Sequence, residues 1–217
     1  MAASRKSTSQ IALPLGPTGQ GTPQRIVVGA ANEAAIVALR DPANWPFGTA
    51  ILTGPARSGK TLLGRWAKLQ HSEEGLEVID GADGLDETQL FHRWNAGQEG
   101  GSKAGHKLLL IADSIPWEIE LPDLRSRLGG SLQLEIDEPD DALAAELILA
   151  MAAERGLALS EDAAHYLVPR AQRSYAALER LVEAMDRISL ERQTPATMSV
   201  WRAALEAVQG PEQQRLF

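Results

Sequence analysis

The stretch Gly-Pro-Ala-Arg-Ser-Gly-Lys-Thr, residues 54–61, has the spacing G-x-x-x-x-G-K-[ST]. Each residue type has a physical task in that order. Gly54 and Gly59 let the backbone curl so that N–H groups point inward, with Pro55, Ala56, Arg57 and Ser58 forming the rim. Lys60 supplies a point charge for the outer phosphates of a nucleotide, and the Thr61 hydroxyl is a magnesium ligand. Leu62 continues into a helix, whose N-terminus adds positive dipole. The motif follows an apolar run and opens a helical one, the context that separates a phosphate cradle from a glycine-rich turn.

Phosphate chemistry of this kind needs an acid at the end of a second strand, close to the metal. Two segments offer one: Leu76–Asp80, followed by Gly81, and Leu108–Asp113, in which Ala112 precedes the acid. Spacing alone does not choose between Asp80 and Asp113.

The elements that must position these groups follow from periodicity. Arg25–Gly29 (a short one), Thr49–Gly54, Leu76–Asp80, His106–Asp113 and Leu132–Ile136 read as strands. Asn32–Leu39 (Asn32 as N-cap), Lys60 to Gln70, and Asp86 to a stop at Gly97 read as helices. Alternation of the two predicts an α/β layer with a parallel sheet. After Pro139 the pattern turns helical throughout. Leu143, Leu147, Ile148 and Met151 share a face, Ser160 caps a second helix, Tyr175 to Ile188 carries an apolar stripe, and Thr197–Val208 forms a fourth. The expected fold is a P-loop parallel sheet core followed by a small all-helical subdomain. The expected divisions are a tail over 1–24, a nucleotide-binding core over 25–138, a helical lid over 139–208 and a tail over 209–217.

From about Leu90 onward the order of motifs resembles a known family. Leu90–Asn95 (LFHRWN), a strand, Leu121–Leu128 (LPDLRSRL), then Glu135–Asp141 (EIDEPDD) and a helical lid are similar to the AAA+ core of DnaA homologues, the Hda branch most of all. The resemblance spans about residues 25–208, and LPDLRSRL is its most specific part. It implies that Asp80 is the metal-side acid, because the family's magnesium strand precedes the LFHxxN helix. Asp113 then falls at sensor I beside the terminal phosphate. Arg127 matches an arginine finger that acts on a neighbouring subunit's nucleotide, with Arg125 as runner-up. Such a finger is worth on the order of 10³–10⁵ in rate.

Three departures qualify the match. Gly81 stands where the family has a second acid, and Ala176 where it has a sensor II arginine. Only about 15 residues separate Thr61 from Leu76, too few for the usual additional strand and helix. The resemblance therefore implies a protein that holds ADP or ATP with Mg2+, hydrolyses it weakly or not at all, and completes the ATP site of DnaA through Arg127. The alternatives are a nucleotide-dependent adaptor and an autonomous ATPase.

Both tails carry hooks. Gln10, Leu13, Pro14 and Leu15 match the Q-x-x-L-P-L motif with which this branch binds the DNA polymerase sliding clamp, and Gln213, Leu216 and Phe217 form a second candidate. Across the 217 residues the net charge is −8 and there is no cysteine. Acidity disfavours direct contact with nucleic acid, and lack of thiols excludes disulfides and thiolate chemistry. Residues 1–10 lack the apolar core of a secretory leader, and no apolar run approaches the ~20 residues that span a bilayer. The expectation is a cytoplasmic protein without a membrane segment or a helix-turn-helix DNA-binding domain. Homo-oligomer formation is left open.

Overall fold

The structure, a computed structural model, describes residues 9–12, 25–73, 75–99, 107–113 and 116–210. They fall into two compact units, one formed by Asn32–Asp137 and the other joining the residues up to Ala31 with those from Glu138 onward.

The first unit is built on a parallel sheet. Its strands are β3 (Thr49–Thr53), β4 (Leu76–Asp80), β5 (Lys107–Ile111) and β6 (Leu132–Glu135), in the order β4-β5-β3-β6. No strand lies between Gln70 and Leu76 among the described residues, as the short spacing there predicts. Around the sheet lie α1 (Glu33–Leu39), α2 (Lys60–Gln70), α3 (Glu87–Glu99) and α4 (Pro122–Gly129). The helix that begins near Asp86 does not stop at Gly97 but continues to Glu99. A single glycine weakens a helix without ending it. Asn32 occupies the N-cap of α1 but accepts no capping hydrogen bond there.

Alternate residues of the central strands face opposite sides, as the period of 2 requires. Ile51, Leu108 and Leu110 pack with Ile79, Leu90, Trp94, Leu124 and Leu128 beneath α3 and α4. On α2, Gly64 meets the sheet so closely that a Cβ there would lie 2.6 Å from Ile111 Cδ1 and 3.1 Å from Val78 Cγ1.

Among the described residues the second unit contains four α-helices, α5 (Asp141–Glu154), α6 (Glu161–Leu167), α7 (Tyr175–Arg192) and α8 (Met198–Gln209). Ile148, Leu167, Leu178, Leu181, Met185 and Val200 lie at its centre. Asp140, Ser160 and Ser174 each accept a hydrogen bond from the backbone N–H three residues on, which starts α5, α6 and α7. The same unit holds an antiparallel pair, β1 (Ser9–Ala12) with β2 (Arg25–Val28), and Val27 packs with Leu143 of α5. The expected strand at Arg25 is therefore present, paired with β1 and not with the main sheet.

Candidate nucleotide site and arginine face

The cradle forms at the carboxyl end of β3. Gly54 is required there by close approach: a Cβ would stand 2.8 Å from Ile136 Cβ, 3.0 Å from Ile136 O and 3.2 Å from Ser58 Oγ. Arg57 has φ of 65° and Gly59 has φ of 89° as the N-cap of α2. These left-handed turns curl the loop before the helix begins.

Lys60 is 6% exposed. Its ammonium donates to Gly54 O at 2.8 Å and Pro55 O at 3.1 Å, and pairs with Asp113 Oδ1 at 2.9 Å. All three donors of the ammonium are thereby engaged. Thr61 Oγ1 donates to Asp80 Oδ2 at 2.7 Å. Both strand-end acids thus converge on the cradle: Asp80 on the hydroxyl, Asp113 on the lysine. Ser58 Oγ is buried with no hydrogen-bond partner. An inward-facing hydroxyl left unpaired in a polar loop fits a phosphate oxygen, and the adjacent oxygens of Thr61 and Asp80 are the hard donors magnesium prefers.

Sequence reading missed Asp83. Its Oδ2 accepts the backbone N–H of Asp113 at 3.2 Å, tying the turn after β4 to the end of β5. The signal was present only as a further acid three residues after Asp80. Gly81 itself has φ of 68°, a left-handed turn that glycine adopts without cost.

Arg127 belongs to a different place. It lies in the last turn of α4, with its guanidinium carbon 4.7 Å from the Phe91 ring centroid and 4.5 Å from that of Trp94. One of its terminal N–H groups donates to Asn95 Oδ1. The LFHRWN segment of α3 thus supplies a seat for the guanidinium, a cation–π arrangement that limits its freedom. Both ends of α4 are anchored. Glu87 accepts the N–H groups of Glu120 and Leu121 at 2.8 and 2.6 Å, and Ser131 Oγ donates to Arg127 O at 3.0 Å. Arg125, the runner-up, donates through Nε to Ile119 O at 2.7 Å, a local tie at the start of the same helix.

Sheet register places the two groups at opposite ends. In the parallel ladder Ala50 pairs with Leu132 and Thr53 with Glu135. The cradle follows Thr53, whereas Arg127 precedes Leu132. Five residues of strand span roughly 16 Å.

Ala176 is the second residue of α7 and carries no guanidinium. Gln10 lies in β1, where its backbone pairs with Val27. Leu13, Pro14 and Leu15, and the C-terminal Gln213, Leu216 and Phe217, lie outside the described residues. No helix among the described residues is long and apolar enough to cross a membrane.

Comparison with known proteins agrees with this architecture. Residues 141–205 match the family model described as "Hda, lid domain". The chromosomal replication initiator protein DnaA of Magnetococcus marinus is 27% identical over 137 residues, which cover 62% of this chain and 30% of that protein. The chain thus spans under a third of that relative's length. Domain III of the Thermotoga maritima replication initiation protein DnaA superposes with a TM-score of 0.69 at 16% identity, covering 86% of this chain and 95% of that one. The FIGL-1 AAA domain in complex with ADP gives a TM-score of 0.61 at 14% identity, covering 82% and 80%. Cradle, sheet order and lid agree with these matches: the chain has the fold of AAA+ domains such as DnaA domain III, and its helices over residues 141–205 are similar to the Hda lid domain.

Proposed function

We propose that this chain regulates replication initiation: it holds ADP or ATP in its own cradle, docks on the sliding clamp, and lends Arg127 to the ATP site of DnaA. The observation that carries the reading is the placement of the cradle and Arg127 at opposite ends of one parallel sheet. A guanidinium seated there serves a nucleotide other than the one at Lys60.

The chain's own residues divide the work. Gly54 to Thr61 wrap the phosphates, and Lys60 exchanges Asp113 and two loop carbonyls for phosphate oxygens. Thr61 and Asp80 would hold magnesium, which when bound neutralises charge on the outer phosphates. The ADP held by the FIGL-1 AAA domain, which shares this fold, supports this use of the cradle. Gly81 presents no carboxylate, and Asp83 is occupied with the Asp113 N–H. That arrangement supports holding nucleotide over turning it over.

Arg127 is permanently charged and planar, so it can donate paired hydrogen bonds to a transferring phosphoryl group. Seating on Phe91, Trp94 and Asn95 reduces the entropy lost when it does so. The hook from Gln10 to Leu15 brings the protein to the clamp, and the C-terminal Gln213–Phe217 is a second hook for the same partner. This setting is cytoplasmic.

The test is phosphate release from ATP-loaded DnaA with clamp on DNA. Wild type accelerates release, and Arg127→Ala loses on the order of 10³-fold or more of that acceleration. No stimulation by wild type would indicate an adaptor. Turnover without DnaA would indicate an autonomous ATPase and overturn the reading of Gly81.

A further inference from the structure

The turn before β3 contains a residue whose conformation is costly and whose exposure does not repay it. Phe47 has φ of 53° and ψ of 21°, a left-handed conformation that Cβ sterics oppose in an aromatic residue. Its side chain is nevertheless 56% exposed. Strain of this sort persists only where surrounding bonds over-determine it. They do so here: Trp45 Nε1 donates to Ala38 O at 2.9 Å, Gly48 N to Trp45 O at 2.9 Å, and Thr49 Oγ1 to Phe47 O at 3.2 Å.

The ring so placed meets two neighbours. Its centroid lies 6.1 Å from that of Trp94, tilted by 50°. Its edge lies over Gly130, where a Cβ would stand 3.0 Å from Phe47 Cε2. Trp94 in turn carries the Arg127 guanidinium. Its own indole N–H is buried without a hydrogen-bond partner, so ring contacts and not a polar tether hold its orientation. An aromatic series thus runs from Phe47 through Trp94 to Arg127, with Phe91 on the guanidinium as well.

We infer that Phe47 is a positioning residue for Arg127: its strained turn holds a ring against Trp94 and so fixes the seat from which the guanidinium reaches a partner's phosphate. This rests on the finger reading for its consequence, but not for its geometry. Phe47 touches no reacting atom, so its removal lowers the rate at saturation and leaves the affinity for the partner alone.

The experiment compares wild type, Phe47→Gly, Phe47→Tyr, Gly130→Ala and Arg127→Ala in two assays. The first is the NMR resonance of the Arg127 Nε–H, assigned by its loss in Arg127→Ala and displaced by ring currents in wild type. The second is DnaA phosphate release titrated to saturation. Glycine adopts the left-handed turn freely, so Phe47→Gly keeps a urea midpoint near that of wild type, which excludes misfolding as the cause of any loss. Its Arg127 resonance moves toward the unstacked position. Its maximal stimulation falls about fivefold to tenfold, a small share of what an arginine finger supplies, with an unchanged half-saturating concentration. Phe47→Tyr restores both, and Gly130→Ala, which crowds the ring, shifts both in the same direction to a lesser extent. An unmoved resonance in Phe47→Gly, or maximal stimulation equal to wild type, overturns the inference. If wild type itself fails to stimulate, the finger reading falls, while the resonance still decides whether Phe47 seats the guanidinium.

Discussion

At the scale of single residues, the cradle is closed on itself by Lys60. The ammonium holds two loop carbonyls and Asp113, so the proposed phosphate binding would exchange these partners. Lys60 is buried but Asp113 is 79% exposed, so solvent screens the pair from the acid's side and it is worth about 1 kcal/mol. Asp113→Asn is therefore expected to tighten ADP binding by only about threefold, whereas Lys60→Ala abolishes it; titration calorimetry with ADP checks both. Tighter binding by more than tenfold would mean that Asp113 occludes the site more strongly than its exposure allows. The motif at residues 54–61 was legible because its glycines and lysine have one common use at that spacing. The pairing of Lys60 with Asp113 was not, since it depends on two strands lying side by side. Asp83 escaped notice because its tie to the Asp113 N–H joins two strand ends that lie 30 residues apart in the chain.

At the scale of elements, the parallel sheet was legible from strand–helix alternation, and the missing strand from the short link between Thr61 and Leu76. Helix ends were less so, and α3 runs through Gly97 because nothing in the chain there supplies a stop stronger than one glycine. The partner of β2 could not be read either: strand periodicity says that Arg25–Val28 is extended, not which edge it joins. Packing density gives two tests. Gly64→Ala pushes a methyl into Ile111 and Val78 and is expected to cost about 1–3 kcal/mol in urea unfolding. Asp140→Ala removes the cap that accepts the Leu143 N–H at 2.8 Å and is expected to cost about 1 kcal/mol. A neutral Gly64→Ala would show that the Ile111 end methyl yields and that the helix propensity gained by alanine, about 1 kcal/mol, offsets the crowding.

For the whole molecule, one end of the sheet is proposed to serve the chain's own nucleotide and the other a partner's. The proposed clamp hooks belong to this scale, because docking would raise the local concentration of one AAA+ protein near another. Deleting residues 10–15 is expected to abolish retention on clamp-loaded DNA in a pull-down, and deleting 213–217 separately shows whether the second hook contributes. Unchanged retention after the first deletion would transfer the role to the C-terminus. Neither hook could be weighed by composition, since a short Q-x-x-L pattern acquires meaning only from its place in the chain. The claim on which all of this depends concerns Arg127. A structure of this protein on the clamp with DnaA and a non-hydrolysable ATP analogue tests it most directly. The account predicts the Arg127 guanidinium within about 3 Å of the terminal phosphate bound to DnaA; Arg127 turned to solvent, or remote from that phosphate, would contradict it.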